Sequence, residues 1–479
     1  MQKYQLFING EWQDAISGDV YDVVNPGTGE VVSVAPYGDE RDTAKAIEAS
    51  HTAFKEWAAT PAPERAAIMV RMYELMQKQQ EELARMISLE MGKPIRESRG
   101  EVKIAADYVL WNAEEAKRVY GTTIPAGMKN KRLQAIRQPV GPVGAITPWN
   151  FPLSMVTRKI APALAAGCTV VFKPASQTPG SAVQFFKIAE EAGMPKGVIN
   201  LVIGSSSKIG HALLTDKRIR KITFTGSTEI GKELMKQAAD QVKRVSMELG
   251  GHAPLIVFED ADLDRAVDGA IASKFRNSGQ TCICANRIYV HESIEEEFTK
   301  RFTQKVEAMK IGNGLEEDVE LGPVIDQSAV EKVKSHVEDA VRKGALVATG
   351  GREYTPEGGE KGFFYAPTIL TNVNDAMLIS HEETFGPVAP VFTFRTDEEA
   401  IEKANNTLYG LAAYFFTKDL SRATRVAEAL EYGIVGVNDA VPTTVQGPFG
   451  GMKESGMGRE GGPDGLADFL ETKFISTVI

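Results

Sequence analysis

Lys221-Ile-Thr-Phe-Thr-Gly-Ser-Thr-Glu-Ile-Gly-Lys-Glu233 reads as a buried strand that passes through Gly226-Ser227 directly into a helix. The same alternation extends to both sides. Residues 143–147, 169–173, 199–203 and 244–249 read as further buried strands, and helical stretches around 154–166, 179–192, 206–214 and 229–240 separate them. Such a pattern predicts βαβ units and a mostly parallel sheet covered on both faces. Ligands of these sheets sit outside the carboxyl ends of the strands, where the loops begin. Lys173, Ser176, Gly204, Gly226 and Glu248 all fall at or near such ends, so this half is expected to bind a nucleotide. Gly226 to Glu233 nearly matches G-x-x-x-x-G-K-[ST]. Glu233, however, offers no hydroxyl for magnesium and would repel phosphate, which argues against phosphoryl transfer. The G-x-G-x-x-G fingerprint is absent as well.

Upstream, residues 4–37 read as short strands and turns, followed by three helical patterns. In the second, Ile68, Met72, Leu75, Leu83 and Met86 recur at helical spacing and read as core packing. A second α/β region runs from about Ala253 to Val437, opening with the strand Pro254-Leu-Ile-Val-Phe258. Two pieces fit neither region: a hairpin at 119–138 around Gly127-Met-Lys-Asn-Lys131, and a final strand at 469–479. Two-stranded ribbons are marginal in water and their edges invite pairing. These pieces are expected to pair with another subunit, in a homodimer or homotetramer. The predicted organisation is a cofactor-binding domain (1–118 and 139–252), a catalytic domain (253–437), a return segment (438–462) and oligomerisation strands (119–138 and 463–479).

Composition narrows the partners. The 479 residues carry 54 basic and 64 acidic side chains, a net charge of −10. Nucleic acid and anionic membranes both call for a basic surface, so neither is expected as a partner. The apolar run at 160–172 is interrupted by Pro162 and Gly167 and falls short of the ~20 residues of a membrane helix. The N-terminus shows no apolar run of signal-peptide length. Three cysteines, Cys168, Cys282 and Cys284, point to a reducing compartment, and cytoplasm is the expectation. A lone C-x-C with few histidines predicts no metal site.

The chemistry concentrates in Glu248-Leu-Gly-Gly-His252 and Phe275-Arg-Asn-Ser-Gly-Gln-Thr-Cys282. A carboxylate and a thiol 34 positions apart suit a general base and a covalent nucleophile. A free thiol has a pKa of ~8.5, so Cys282 needs local help, and the small polar run 277–281 is expected to leave backbone N–H groups free to give it. His252 is a rival base without an evident acidic partner. A thiol-dependent hydrolase or thioesterase is the different-class alternative, and it would leave Lys173 and Gly226-Ser227 idle.

The two stretches resemble the E-L-G-G and F-x-x-x-G-Q-x-C signatures of the aldehyde dehydrogenase superfamily. That resemblance spans nearly the whole chain. It implies a Rossmann-type cofactor domain, a second α/β catalytic domain and a small β oligomerisation piece. By the same resemblance, Cys282 attacks an aldehyde and passes through a thiohemiacetal and a thioester, Asn150 steadies the oxyanion, and Glu248 activates water. Thr147 and Trp149 in Thr147-Pro-Trp-Asn-Phe-Pro152, Gly226 and Ser227, and Glu383 and Phe385 are implied cofactor contacts. Lys173-Pro-Ala-Ser176 resembles the ribose-binding turn, where members preferring NAD carry glutamate. Serine there implies that NADP is preferred, with NAD also used.

Within the family the chain is most similar to enzymes of succinate semialdehyde. Arg158 and Arg276 match the arginines that hold the far carboxylate in that subgroup. Thr443 lies in the substrate-anchor loop, where close relatives carry serine, and Gly462-Pro-Asp-Gly465 replaces their usual basic and aromatic tail. Glutarate semialdehyde is the alternative substrate, because one methylene is worth only ~1–3 kcal/mol of discrimination. Resemblance to some members also implies a reversible Cys282–Cys284 bond as a redox switch.

Overall fold

A computed structural model of the chain describes residues 2–356, 359 and 361–479. Four helices precede the first large sheet: α1 (Glu40–Ala59), α2 (Ala62–Lys78), α3 (Gln80–Met91) and α4 (Ile95–Glu115). The three helical patterns of the sequence are therefore corrected to four helices. The apolar stripe from Ile68 to Met86 crosses a break at Gln79 (φ −101°, ψ 18°). It runs on because Met69, Met72 and Met76 of α2 and Leu83 and Ile87 of α3 enter the same core.

Five strands then form the parallel centre of a sheet: β1 (Val143–Ile146), β2 (Val170–Lys173), β3 (Ile199–Leu201), β4 (Lys221–Thr225) and β5 (Arg244–Glu248). Their order is β5-β4-β1-β2-β3. Every residue of β2, β3 and β4 is buried. Val170-Val-Phe172 of β2 carries the continuous apolar run usual for a strand covered on both faces, whereas Thr223 and Thr225 of β4 are buried among apolar neighbours. The crossovers are α5 (Ser154–Ala166), α6 (Pro179–Glu191), α7 (Ser206–Thr215) and α8 (Thr228–Ala239). Antiparallel edges complete eight strands: Leu6–Ile8 and Glu11–Gln13 beyond β3, and Gly456–Met457 beside β5. Strand order reverses between β1 and β4, and that is where a crevice opens in such a sheet.

A second, seven-stranded sheet contains β6 (Ala253–Val257), β7 (Ala285–His291), β8 (Thr368–Thr371), β9 (Val388–Phe394), β10 (Ala412–Phe416) and β11 (Ile434–Val437). Its order is β8-β9-β7-β6-β10-β11, all parallel, with Leu346–Thr349 antiparallel at the β8 edge. Helix α9 (Leu263–Lys274) follows β6 and leads into the loop that carries Cys282. The hairpin strands Thr122–Ile124 and Lys131–Pro139 and the final strand Leu470–Val478 meet in one three-stranded sheet. That sheet leaves Ile124, Phe474 and Val478 exposed. Among the described residues, no helix is long and apolar enough to cross a membrane.

Candidate active site

The loops that leave β1 and β4 open onto one cleft of about 520 Å³, shared with Cys282 and with the segment 383–385. At the β4 exit, the N-terminus of α8 faces this space, and Ser227 Oγ accepts the Ile230 N–H at 3.4 Å. Gly226 is required there: a Cβ would stand 2.3 Å from the Phe224 ring. Unpaired N–H groups at a helix start, together with the helix dipole, suit a phosphate. Trp149 and Phe385 line the same cleft edge to face, 5.6 Å apart. Phe385 holds φ at +53°, a conformation that costs a non-glycine residue of order 1–3 kcal/mol. Beside it, Glu383 accepts the Gly251 N–H at 3.0 Å, and burial pushes its carboxyl up to about 7.

One strand over, Lys173 ends β2 with only 3% of its surface exposed. Its ammonium donates to Pro174 O at 2.9 Å and has no carboxylate partner among the described residues, and burial pushes its pKa down to about 8. A buried cation so poorly matched fits an anionic ligand. Ser176 is half-buried on the same turn. Thr147 is buried, donates its N–H to Lys173 O at 3.2 Å and lines neither this cleft nor the pocket described next.

Cys282 also borders a second pocket of about 70 Å³. Arg158, Arg276, Tyr108, Phe151 and Thr443 enclose it. The two arginines differ. Arg158 Nη2 lies 2.7 Å from Glu460 Oε2, and its guanidinium stacks 3.9 Å from the Phe449 ring. Arg276 packs 5.5 Å from the Phe151 ring and makes no ion pair among the described residues. Glu460 also takes Lys159 Nζ at 2.6 Å. Burial alone would raise the Glu460 carboxyl, yet Lys159 and Arg158 hold it below the usual range.

The loop that carries Cys282 is built under strain. Asn277, Ser278 and Gly279 all adopt positive φ (52°, 55° and 73°). Hydrogen bonds hold them. Asn277 Nδ2 donates to Asn150 O (3.0 Å), Ser278 Oγ to Gly322 O (2.8 Å), and Gln280 Oε1 accepts the Ile325 N–H (2.9 Å). A Cβ on Gly279 would stand 2.1 Å from Gly386 O, so only glycine fits. The expectation that this run frees its N–H groups for Cys282 is corrected for three of its five residues. The N–H of Asn277 goes to Glu97, that of Ser278 to Phe275 O and that of Gln280 to Asn277 O. Those bonds keep the loop in shape instead.

Burial pushes the Cys282 thiol up to about 12, with Arg158 opposing and Glu383 adding to the rise. The resting sulfur is therefore protonated. Asn150 gives one amide proton to Gln280 O at 3.0 Å and faces the larger cleft. Glu248 is 2% exposed, packs against Gly450 and lines neither cavity; both its oxygens lack hydrogen-bond partners. Burial and then the Glu460 charge raise its carboxyl well above the ordinary value, against Arg158 and Lys159.

His252 is buried, shares a 3.0 Å hydrogen bond between Nε2 and Ser380 O, and has its pKa driven well below the usual value by burial and Arg287. It stays neutral and lines neither cavity. Cys284 is likewise outside both, donating from Sγ to Lys274 O at 3.5 Å. No cluster of metal-ligating side chains occurs among the described residues.

Glu460, Gln280 and Glu97 escaped the sequence reading. Each works through a partner distant in the chain, and nothing local marks Glu460 or Glu97. Gln280 alone carried a signal, since it stands inside the nucleophile motif.

The aldehyde dehydrogenase family model matches residues 12–475. The chain is 51% identical to a glutarate-semialdehyde dehydrogenase of Pseudomonas putida, over 99% of this chain and 97% of that one. It is 50% identical to the NADP(+) succinate-semialdehyde dehydrogenase GabD of Escherichia coli, with the same coverage, 99% and 97%. A solved structure of an E. coli NADP-dependent enzyme superposes with a TM-score of 0.98 at 50% identity, covering 100% of this chain and 98% of that one. The chain belongs to the aldehyde dehydrogenase family.

Proposed function

We propose that this NAD(P)-dependent aldehyde dehydrogenase oxidises succinate semialdehyde to succinate, with NADP preferred and NAD also accepted. One observation carries the reading: Cys282 stands between two cavities, and the smaller one holds the Arg276 guanidinium, which makes no ion pair among the described residues. A carboxylate at the far end of a short aldehyde supplies that charge, with the carbonyl left at the sulfur. Charge-assisted hydrogen bonds contribute roughly 1.5–3 kcal/mol each.

The residues around the larger cleft fit a nicotinamide dinucleotide. Ser227 and the start of α8 would hold its pyrophosphate, and Glu383, Phe385 and Trp149 its nicotinamide end. Lys173, short of acceptors and free of any neighbouring carboxylate on its turn, would hold the adenosine ribose and its 2′-phosphate beside Ser176. Bound there, the cofactor supplies a hydride acceptor.

The chain's own residues do the rest. Cys282 loses its S–H proton to water in the open cleft, Sγ bonds to the aldehyde carbon, and the carbonyl π pair moves onto oxygen as an oxyanion. The second amide proton of Asn150 and the Cys282 backbone N–H donate to it. Losing one such donor typically costs ~10²–10³ in rate. Once the carbon has been oxidised, the acyl group remains on sulfur. Glu248, which lines neither cavity at rest, would turn toward Cys282 and take a proton from water as the water oxygen bonds to the acyl carbon; the C–S bond then breaks to release the acid.

Glutarate semialdehyde is the second reading, favoured by the 51% identity to an enzyme named for it. Steady-state kinetics with the four- and five-carbon semialdehydes, each with NADP and with NAD, decide between them. The expected maximum of kcat/KM is the four-carbon aldehyde with NADP. A larger value for the five-carbon aldehyde selects the second reading, and thioester hydrolysis without any nicotinamide reduction moves the protein to the hydrolase class. We further place the enzyme in the cytoplasm, on its three free cysteines, and assign it a homodimer or homotetramer. The exposed Phe474 (59%) and Val478 (67%) on the three-stranded sheet support that assembly.

A further inference from the structure

The two guanidinium groups of the small pocket ride on different elements, Arg158 on α5 and Arg276 on the strained loop before Cys282. Both elements are tied to one face of α4. Glu97, Glu101, Ile104 and Tyr108 follow one another at spacings of four, three and four residues, which puts them on a single helical stripe. Ile104 and Tyr108 form part of the pocket wall.

The two carboxylates one turn earlier reach the flanking elements. Glu101 Oε1 accepts the N–H of Leu153 (2.9 Å) and of Ser154 (3.1 Å), the first donors of α5. Its other oxygen pairs with the buried Lys93, whose ammonium lies 3.8 Å from the Phe151 ring. Glu97 Oε2 accepts the N–H of Asn277 at 2.8 Å. Asn277 is the left-handed residue directly after Arg276, and Arg276 packs on the same Phe151 ring. Without its acceptor, that N–H would favour relaxation of the loop to an ordinary conformation, and the relaxation would redirect Arg276.

We propose that Glu97 and Glu101 are positioning residues that hold the Arg276 and Arg158 elements at one fixed spacing, so that α4 sets how firmly the far carboxylate of the aldehyde is gripped. This rests on the reading of a carboxylate-bearing substrate. Neither glutamate touches substrate in this arrangement; each acts through backbone N–H groups. Burial raises the Glu97 carboxyl, while Lys93, the Asn277 N–H and Arg276 oppose that rise.

The test compares succinate semialdehyde with butanal, a neutral aldehyde of the same length, on the full-length enzyme with NADP. Glu97→Ala is expected to raise KM for the semialdehyde at least about tenfold, as loss of one well-aligned charge-assisted contact does, and to leave KM for butanal within about twofold. Glu97→Gln retains an oxygen acceptor for Asn277 and is expected to restore most of the grip. Should the alanine variant fail to fold, Glu97→Asp, whose carboxylate is retracted by one methylene, gives the same split between the two aldehydes. A wild type that prefers the semialdehyde while Glu97→Ala and Glu97→Asp keep that whole preference overturns the positioning role alone. Equal KM rises for both aldehydes do so as well. A wild type that treats both aldehydes alike overturns the substrate reading, and this inference with it.

Discussion

Replacing Arg276 by glutamine isolates the substrate anchor from the fold. Arg276 makes no ion pair among the described residues, so its loss breaks no direct carboxylate contact. Arg158 differs, since Glu460 rests on it at 2.7 Å and keeps only Lys159 once it is gone. Arg276→Gln removes one charge-assisted contact to the substrate, worth roughly 1.5–3 kcal/mol, or about 10- to 150-fold in KM. Stability should barely change. Breaking a buried ion pair typically costs roughly 3–5 kcal/mol, and the retained Lys159 sets Arg158→Gln at the lower end. At about 2–4 °C per kcal/mol for domains of this size, that is a drop of several degrees in Tm. Initial rates from reduced-nicotinamide absorbance, with semialdehyde and with butanal, give the two KM values, and thermal melts give the other half. The reasoning fails if Arg276→Gln weakens both aldehydes equally, or if it melts as early as Arg158→Gln.

Ser176→Glu should reverse the cofactor preference. A carboxylate about 4 Å from a 2′-phosphate costs roughly 4 kcal/mol at an effective dielectric of 20, several hundredfold in affinity for NADP. An unchanged ratio of KM values for NADP and NAD would show that the Lys173–Ser176 turn does not meet the ribose. Glu248→Gln should release about one equivalent of reduced nicotinamide per site in a burst and then stall, because acylation survives and hydrolysis does not. In the wild type, burial and Glu460 raise the Glu248 carboxyl, so the base is protonated and idle at low pH and becomes active as pH climbs through that raised value. Hydrolysis should therefore accelerate with pH along a limb that disappears in Glu248→Gln; a limb that persists in the variant belongs to another group.

What the sequence shows and what it hides divide along a physical line. The strands β1 and β2 were readable because burial on both faces writes an apolar run into each (143–146 and 170–172), whereas β3, β4 and β5, which carry Asn200, Thr223 and Ser246, were readable from their place in the strand–helix alternation. Gly226 and Gly279 were readable as motif members, and the structure supplies the reason, since a Cβ at either would strike Phe224 or Gly386. The break at Gln79 was not readable, because neither proline nor glycine marks it and the apolar stripe continues into the same core on both sides. Glu97 and Glu101 were hidden for a deeper reason. Two glutamates four residues apart on a helix look like a solvated face, and local periodicity cannot tell solvent from a buried polar partner. Their partners are the N–H groups of Asn277, Leu153 and Ser154, which lie 180, 52 and 53 residues away in the chain. Backbone N–H groups have no residue-specific signature, so the part of the site that aims the arginines leaves no trace in composition or spacing. Cys282, Asn150, Arg158 and Arg276 do leave one, because the chemistry proposed for them depends on side-chain identity. A close homologue that lost the Glu97 carboxylate would keep every recognisable motif and would lose its grip on acidic aldehydes.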